Sequence, residues 1–379
     1  MPPPSTTRRK FLCACAAGGA CLALDGWAGA AATNAAPAKP IRPLSRALFW
    51  EALPRGRTRC LTCPNHCESA EGGVTRCKTR VNRGGVLYTL THSRPCVIHI
   101  DPLEKNPLFH VSPGQSNLVT ATAGCNLSCS YCQNWDISQV GPEKTKNMDI
   151  PPDALVQRAL DRSLKWISFS YTEPVAYYEY AVDVATLARA RGLKVAMVTA
   201  GIIDPKPLEK LMAVSDAFSV TLKGDTPGFY KNVCGANIDT VWQTLRRVVQ
   251  AGLWVEVVTL IIPGLNDDEP GLRSMARKLA TLSPNIPLHY LRFFPMYKLK
   301  HLTTTPVATL ERARDGALKE GLKFVYISNL PGHAAAQTNC PSCKKCLIER
   351  VGFKVVTNRI RESQCPFCAT RIPGLDLAG

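Results

Sequence analysis

The segment Thr122-Ala123-Gly124-Cys125-Asn126-Leu127-Ser128-Cys129-Ser130-Tyr131-Cys132-Gln133-Asn134-Trp135 decides the fold of this 379-residue chain. Three cysteines in it, Cys125, Cys129 and Cys132, have the spacing Cys-x-x-x-Cys-x-x-Cys. A cubane iron–sulfur cluster has four irons, so three thiolates from one short loop leave one iron without a protein ligand. The segment therefore predicts a cubane cluster with one open iron.

Eight further cysteines form two sets on either side of this segment. The first set is Cys60, Cys63, Cys67 and Cys77, and the second set is Cys340, Cys343, Cys365 and Cys368. Two Cys-x-x-Cys knuckles separated by 21 residues, as in the second set, predict a ribbon in which four thiolates surround one zinc ion. Cys346 lies close enough to compete as a ligand. The uneven spacing of the first set predicts either zinc or an iron–sulfur cluster, and an iron–sulfur relay stays an alternative for both sets.

Length and charge limit the classes of protein that this chain can be. A chain of 379 residues can hold one large α/β domain with small satellites. The net charge of +17 would suit nucleic acid, an anionic membrane surface or an acidic protein partner. The basic residues are scattered and are not interleaved with aromatic residues, so we expect no nucleic-acid partner.

The first forty residues have the features of an export signal. Thr7-Arg8-Arg9-Lys10-Phe11-Leu12 is followed by an apolar run and by Ala28-Gly29-Ala30. Residues 1–40 are therefore predicted to be a twin-arginine signal peptide with a linker. Export by this signal predicts that the protein is located in the periplasm. The apolar run is too short to span a bilayer, so no transmembrane segment is expected in the mature chain. A cytoplasmic protein with a non-functional leader is the alternative, because an oxidising compartment threatens reduced thiols.

From residue 117 onward, β-branched runs alternate with helical periods, which is the pattern of parallel βα units. Strands are predicted at 117–122, 166–170, 194–199, 217–222, 254–261 and 288–293, with a final strand at 323–327. Helices are predicted at 151–162, from 175 to a stop at Gly192, and at 207–213, 240–251, 271–282 and 308–320. This order favours a partial (β/α)6 barrel, with a flavodoxin-like open sheet as the alternative. The expected domains are residues 41–110, a Cys-rich extension; 111–332, the barrel; and 333–379, the ribbon.

Several short motifs extend the pattern beyond the cluster segment. They are residues 103–110 (Leu-Glu-Lys-Asn-Pro-Leu-Phe-His), Cys132-Gln133-Asn134-Trp135, Thr172-Glu173-Pro174 and residues 261–267 (Ile-Ile-Pro-Gly-Leu-Asn-Asp). Together with the three cysteine sets, they resemble the radical S-adenosylmethionine (radical SAM) member of the AmmeMemoRadiSam system. That family is related to pyruvate formate-lyase activating enzymes. The resemblance covers nearly everything after residue 45 and implies a radical SAM barrel.

The same resemblance implies the cofactors and their contacts. It implies a [4Fe–4S] cluster on Cys125, Cys129 and Cys132, with SAM chelated at the open iron. It implies SAM contacts from Tyr131 near adenine, Thr172 and Glu173 at the amino group, Lys223 near the carboxylate, Ile262 and Gly264 along adenine and ribose, and His289. The alternatives are a helix-capping acid for Glu173, a solvated lysine for Lys223 and a core histidine for His289. Cys234 is either a neighbour of the site or an inert buried thiol.

Three positions depart from the pattern of the family. Ala200 replaces an asparagine, Thr221 replaces an aspartate and Phe294 replaces a histidine. Two polar contacts to SAM or substrate are therefore expected to be missing. The departures predict weaker cofactor binding or a different substrate.

The resemblance also implies a reaction and its partners. An electron passed through the cluster cleaves SAM to methionine and a 5′-deoxyadenosyl radical, which abstracts hydrogen from a protein or a small molecule. The implied partners are a low-potential electron donor and proteins of the Memo and AMMECR types. Two alternatives stay open: a radical SAM enzyme that modifies RNA, and a catalytically silent iron–sulfur or zinc electron-transfer protein.

Overall fold

One eight-stranded sheet forms the centre of the computed structural model, which describes residues 43–378. The predicted export signal therefore lies outside the described residues. The structure contains the following strands: β1 (Ser45–Arg46), β2 (Trp50–Leu53), β3 (Arg57–Cys60), β4 (Glu68–Ser69), β5 (Arg80–Arg83), β6 (Val86–Thr89), β7 (Val97–Pro102), β8 (Ser116–Ala121), β9 (Trp166–Phe169), β10 (Lys194–Thr199), β11 (Ala217–Thr221), β12 (Trp254–Ile261), β13 (Leu288–Arg292), β14 (Val325–Ser328), β15 (Thr338–Asn339), β16 (Cys346–Val351) and β17 (Lys354–Asn358).

Helices connect the parallel strands of this sheet. They are α1 (Trp135–Ser138), α2 (Pro152–Asp161), α3 (Tyr178–Ala190), α4 (Pro205–Ala213), α5 (Pro227–Phe229), α6 (Ile238–Gln250), α7 (Glu269–Leu282) and α8 (Val307–Lys319). A π-helical turn, Tyr230–Cys234, follows α5 directly. Within residues 43–378, no helix has the length and apolar character needed to cross a lipid bilayer.

The strand order of the central sheet is β14-β13-β12-β11-β10-β9-β8-β7. Strands β8 to β14 are all parallel, and β7 pairs antiparallel with β8 at one edge. Two three-stranded antiparallel sheets, β1-β6-β5 and β2-β3-β4, precede the central sheet along the chain, and the sheet β15-β16-β17 follows it. From Leu44 onward these parts form one compact unit.

The predicted α/β fold with a partial barrel is confirmed. All six predicted strands and the final strand lie in the parallel sheet, and the predicted bounds at 194–199 and 254–261 match β10 and β12 residue for residue. Strand β7 was not predicted. It is an edge strand whose side chains are only partly buried, so its sequence lacks a clear apolar face.

The helix predicted from residue 175 begins three residues later, at Tyr178. Residues Pro174–Tyr177 form a 3-10 turn, because Tyr177 takes a non-helical conformation (φ −119°, ψ 40°) between the two segments. The helix stops before Gly192, which has φ +79° as in a helix C-terminal cap. The period of the apolar residues predicted the helix, but not the interruption at its first turn.

A buried carboxylate, Glu256 on β12, joins the sheet to the segment that precedes β8. Its Oε1 accepts hydrogen bonds from the His110 amide (2.8 Å) and the Trp254 indole (3.1 Å). Its Oε2 accepts from the Phe109 amide (3.0 Å) and pairs with His289 Nε2 (2.8 Å). Burial alone would raise the pKa of Glu256, but the hydrogen bonds from His289 and His110 bring it below its usual value. The site therefore requires a charged acceptor.

The C-terminal ribbon is tied to the same region through Arg350 on β16. Its guanidinium is fully buried, donates to the Phe109 carbonyl (2.8 Å) and lies 4.2 Å from the centre of the Phe109 ring. The carboxylate of Glu104 lies 3.7 Å from Arg350 Nε and compensates the buried charge. Residues 104–110 thus link the ribbon to the base of the barrel.

We predict that Glu256→Gln destabilises the protein by about 3–5 kcal/mol, because the amide nitrogen would face N–H donors inside a buried site. The substitution keeps the side-chain volume, so it leaves no cavity. The measurement is the midpoint of urea unfolding under anaerobic conditions. As a control, Glu209→Gln at the exposed ion pair with Arg247 should cost less than about 1 kcal/mol. Equal stability of the two variants would contradict the prediction.

Candidate active site

A cavity of about 420 Å³ lies at the carboxyl ends of the parallel strands. In a barrel of this kind, side chains that follow several different strands meet at this end. The cavity is lined by residues that lie at or follow the ends of β8 to β14: Cys125, Cys129, Cys132, Ser170, Thr172, Glu173, Thr199, Ala200, Thr221, Lys223, Leu260, Leu291, Ser328 and Asn329.

The loop after β8 places the sulfurs of Cys125, Cys129 and Cys132 on one wall of this cavity. All three thiols are free of disulfides. The Leu127 amide donates to Cys125 Sγ (3.4 Å), and Ser138 Oγ lies 3.2 Å from Cys132 Sγ. Hydrogen bonds to sulfur are a common feature of iron–sulfur ligands.

The π-helical turn after α5 holds this loop in place. The amides of Ser128 and Ser130 donate to the carbonyls of Cys234 and Val233, both at 2.9 Å. Cys234 is fully buried, and its sulfur lies 3.7 Å from the Tyr131 hydroxyl. A hydrogen bond from Cys234 lowers the pKa of Cys129, and the positive charge of Lys223 acts in the same direction. Cys234 therefore supports the loop from behind and does not line the cavity.

The three cysteines of the cluster loop are not arranged as the ligands of a single ion. Four thiolates around one zinc ion lie about 3.8 Å apart, since each Zn–S bond is about 2.3 Å long. Within residues 43–378, Cys125, Cys129 and Cys132 do not form a group whose metal-binding atoms all lie within 4.8 Å of one another. A cubane, in which each thiolate binds a different iron, does not require its sulfurs to be that close.

Glu173 is a buried carboxylate that lines the cavity and lies in the segment that follows β9. It is 5% exposed. Its Oε1 accepts from the Thr199 hydroxyl (2.6 Å) and its Oε2 from the Ala200 amide (2.7 Å). Burial raises the pKa of Glu173. Glu173 also caps the 3-10 turn through a long contact with the Val175 amide (3.5 Å), so the capping alternative and the cavity-lining position both apply.

Lys223 follows β11 and brings a positive charge to the cluster loop. Its ammonium lies 5.8 Å from the centre of the Tyr131 ring, and its amide donates to the Tyr230 hydroxyl (2.8 Å). Burial would lower the pKa of Lys223, but attraction by the thiolates of the cluster loop, beginning with Cys129, raises it overall. Lys223 therefore lines the cavity next to the cluster loop, as the resemblance implies.

The comparisons with known proteins agree with this geometry. The sequence matches the family model of the radical SAM superfamily over residues 119–274. MJ0808, an uncharacterized protein of Methanocaldococcus jannaschii, is 40% identical over 332 residues, which is 87% of this chain and 99% of that protein. The chain belongs to the radical SAM superfamily. Membership implies a [4Fe–4S] cluster and SAM as cofactors, and the three cysteines and the charged pair in the cavity fit them.

More distant relatives share only the radical SAM domain. A pyruvate formate-lyase-activating enzyme of Clostridium pasteurianum is 27% identical over 169 residues, which is 43% of this chain and 67% of that enzyme. The solved structure of a radical SAM methyltransferase from Sphaerobacter thermophilus matches with 17% sequence identity and a TM-score of 0.46. The match covers 59% of this chain and 70% of the methyltransferase chain. The radical SAM domain is thus homologous to that of activating enzymes.

Three residues expected near SAM do not line the radical SAM cavity. His289 is fully buried and is bonded to Glu256 and to Ser328 Oγ (3.1 Å), as in the alternative of a core histidine. The Ile262 amide donates to Asn266 Oδ1 (2.6 Å), and the Gly264 amide donates to Asp267 Oδ1 (2.8 Å). The residues of β12 that line the cavity are Val258 and Leu260, because alternate residues of a strand point to the same face.

Asn266 is a positioning residue that sequence reasoning missed. Its amide nitrogen donates to the carbonyls of Lys223 (2.8 Å) and Leu260 (2.9 Å). It thereby joins the ends of β11 and β12 beneath the cavity. The motif at 261–267 contained this residue, but only the folded chain shows that its asparagine bridges two neighbouring strands.

The motif at 103–110 also reaches the cavity, where Lys105, Asn106 and Pro107 lie along its wall. Lys105 Nζ contacts the Tyr171 hydroxyl (3.0 Å). Tyr171, which has φ +60°, presents its carbonyl to the Asn134 side chain (2.7 Å). A tyrosine in this backbone conformation is uncommon and is held here by contacts on both sides. The sequence marked the motif but not this role.

The three departures from the family pattern have different consequences. Ala200 and Thr221 line the cavity, and the amide of Ala200 still donates to Glu173. Phe294 is 41% exposed and stacks beneath the guanidinium of Arg292 at 5.5 Å, away from the cavity. The missing polar side chains at Ala200 and Thr221 thus leave that part of the wall less polar, whereas Phe294 changes the outer surface.

The four C-terminal cysteines lie close enough together to surround a single metal ion. The sulfurs of Cys340, Cys343, Cys365 and Cys368 all lie within 4.8 Å of one another. Two pairs are 3.5 Å (Cys340 and Cys368) and 3.7 Å (Cys343 and Cys365) apart, near the spacing of about 3.8 Å that four bonds to zinc require. Cys346 is outside this group. The predicted four-cysteine module is present, and the identity of its metal stays a prediction.

We predict that the purified protein carries about one zinc in this ribbon. The double variant Cys343→Ser/Cys368→Ser should lose that zinc, because two of four ligands are gone. The measurement is metal content per chain by mass spectrometry. Cys346→Ser is the matched control and should keep the zinc. Iron in place of zinc, lost in the same double variant, would show instead that the ribbon is an iron site.

Proposed function

We propose that this protein is a radical SAM enzyme that cleaves SAM reductively and abstracts hydrogen from a protein or small-molecule substrate. The observation that carries the proposal is the convergence of three separated thiols, the buried carboxylate of Glu173 and the ammonium of Lys223 on one cavity. When bound, a [4Fe–4S] cluster and SAM supply a 5′-deoxyadenosyl radical in this family; the protein supplies binding, orientation and exclusion of water.

Glu173 holds the ammonium of SAM in this proposal. Its Oε1 accepts from Thr199 and, in a long contact, from the Val175 amide, whereas its Oε2 accepts only from Ala200 and keeps a further lone pair. These bonds fix the carboxylate in a single orientation. A bound ammonium compensates the buried negative charge, whose desolvation raises the pKa of Glu173 in its absence.

Lys223 attracts the carboxylate of SAM and the negative charge of the thiolates. Its main chain is held by Tyr230 on one side and by Asn266 on the other. Tyr131 is 7% exposed and packs beside it, which restricts the flexible lysine side chain. The positive charge of Lys223 is thus held where it can attract both the carboxylate of bound SAM and the thiolates of the cluster loop.

The subtype of the reaction follows from the same proposal. The homology to activating enzymes supports hydrogen abstraction from a partner protein, which is how those enzymes act on a glycine. Resemblance to the AmmeMemoRadiSam system adds Memo-type and AMMECR-type proteins as partners, with a low-potential electron donor.

Export by the twin-arginine route, from the Arg8-Arg9 motif, is the corresponding proposal for location. Fractionation of cells that express the full chain and an Arg8→Lys/Arg9→Lys variant tests it.

Cys129→Ala should abolish the formation of 5′-deoxyadenosine, because a cubane with two protein ligands in this loop no longer binds stably. The measurement is chromatography of the products after anaerobic reconstitution and reduction, together with the change that SAM causes in the electron paramagnetic resonance spectrum of the cluster. Cys346→Ala lies outside every cysteine set and should keep both signals. Deoxyadenosine from the Cys129→Ala protein would refute the assignment of the cluster loop.

Glu173→Gln should weaken SAM binding by roughly tenfold or more, since a hydrogen bond to a charged group contributes about 1.5–3 kcal/mol. The measurement is titration of the SAM-dependent spectral change in protein with matched iron content. Glu143→Gln, outside the cavity, is the control. An unchanged SAM affinity with the cluster intact would leave Glu173 as a capping residue only.

A further inference from the structure

We propose that Cys60, Cys63, Cys67 and Cys77 hold a second [4Fe–4S] cluster, with four protein ligands, that passes electrons to the cluster loop. The relay role rests on the proposed function, whereas the metal site does not. Three observations carry the proposal: the proximity and spacing of the four thiols, the donors around their sulfurs and the contact with the loop of Cys125.

The four thiols are free and lie in one region of the N-terminal extension. Cys60, Cys63 and Cys77 are buried, and Cys67 is partly buried. The Cys60 amide donates to the Cys67 carbonyl (3.0 Å), which brings Cys60 and Cys67 together. The Arg76 amide donates to Cys67 Sγ (3.4 Å), which brings the residue before Cys77 against Cys67.

The spacing of these sulfurs differs from that of the ribbon. Within residues 43–378, the ribbon is the group in which three or more metal-binding atoms all lie within 4.8 Å of one another, and the N-terminal set does not meet that limit. Cys125, Cys129 and Cys132 do not meet it either. A cubane, in which each thiolate binds a different iron, does not need its sulfurs as close together as a single ion does. His66 is bonded to Asp204 (2.6 Å) and leaves the four cysteines as the ligand set.

Polar groups surround the sulfurs of the N-terminal set. Cys77 Sγ lies 3.1 Å from the Thr75 hydroxyl and 3.0 Å from the Thr79 hydroxyl. The Arg76 amide donates to Cys67 Sγ (3.4 Å), and Cys60 Sγ lies 3.4 Å from Thr62 Oγ1. Such contacts orient the ligands and tune the potential of an iron–sulfur cluster.

A buried positive charge stands beside the same sulfurs. Arg80 is 1% exposed, and its guanidinium donates to Cys77 Sγ (3.8 Å) and pairs with Glu179 on α3 (3.0 Å). Glu179 balances the charge of Arg80, so the pair brings no net charge to the buried site. Arg80 instead donates to a sulfur of the set and, through Glu179, ties the set to the barrel.

The set lies directly against the loop that carries Cys125. Gly124 has φ +90°, and a side chain there would collide with the Cys77 carbonyl and the Thr79 methyl group. Asn65 donates to the Asn126 carbonyl (2.9 Å), and Arg76 donates to Ser128 Oγ (3.2 Å). The two cysteine loops are therefore in van der Waals and hydrogen-bond contact. Gly124, which precedes Cys125, packs directly on Cys77, a proposed ligand of the second cluster.

This position gives the second cluster a one-electron role. A low-potential donor protein gives up one electron to the second cluster, and the same electron then leaves it for the cluster held by Cys125, Cys129 and Cys132. The donor is oxidised by one electron, and the second cluster returns to its starting state. No bond is made or broken in the extension.

The test measures iron, sulfide and zinc in the full chain after anaerobic reconstitution. We expect about eight irons in the unchanged protein, because each of two cubanes has four. The triple variant Cys125→Ala/Cys129→Ala/Cys132→Ala should keep about four irons, with a reduced electron paramagnetic resonance signal that SAM does not change. The double variant Cys63→Ala/Cys77→Ala should also keep about four irons, with the SAM-sensitive signal. Cys96→Ala, outside all three sets, is the control.

Two results would overturn the metal site. One is a triple variant that has lost all its iron while its circular dichroism and ribbon metal are unchanged. The other is about two zinc ions per chain, one of them lost in the double variant. In every variant, metal bound at the C-terminal ribbon shows that the protein has folded. If the double variant does not fold, the iron content of the triple variant still tests whether the second cluster exists.

The relay has its own readout in the double variant. In this variant, we expect deoxyadenosine to form with dithionite as the reductant but not with a protein electron donor. The measured quantity is the ratio of the two rates, compared with that of the unchanged protein. An unchanged ratio would refute the relay while leaving the second cluster in place. A protein with eight irons and no SAM cleavage would instead refute the proposed function alone, so the two failures are distinguishable.

Discussion

The support of the cluster loop by the turn after α5 is the interaction on which the rest of the site depends. Two main-chain hydrogen bonds, from Ser128 and Ser130, hold a loop that has no regular structure of its own. Without them, three thiols spread over eight residues would have no common wall to line. Because backbone groups carry these bonds, the side chains of the loop are free to bind metal.

Compensation of charge explains how the same barrel tolerates polar groups at both ends. At the carboxyl ends of the strands, Glu173 and Lys223 line an open cavity, as binding groups do. At the other end, Glu256 is fully buried, accepts from four donors and is not among the residues that line this cavity, so it stabilises the fold. The position relative to the cavity separates a binding role from a structural one.

The three cysteine sets represent three different ways of arranging thiols. The ribbon closes its four sulfurs around a volume that fits one ion. The cluster loop spreads three sulfurs over a cavity wall and leaves room for a small molecule. The extension surrounds its sulfurs with hydroxyls, an amide and the buried Arg80. These surroundings distinguish the sets more clearly than the spacing along the chain does.

The parallel βα order, the cluster loop and the two knuckles of the ribbon could all be predicted from the amino-acid sequence. These are local signals, since alternation of apolar residues and cysteine spacing act over a few residues. The set of side chains that share the cavity could not be predicted, because it depends on how distant segments pack. The tertiary structure placed His289 in the core and Asn266 under Lys223, and it brought Cys77 against Gly124. The physical reason is that the face and partner of a side chain depend on the register of neighbouring strands and on contacts between distant segments, which local spacing does not encode.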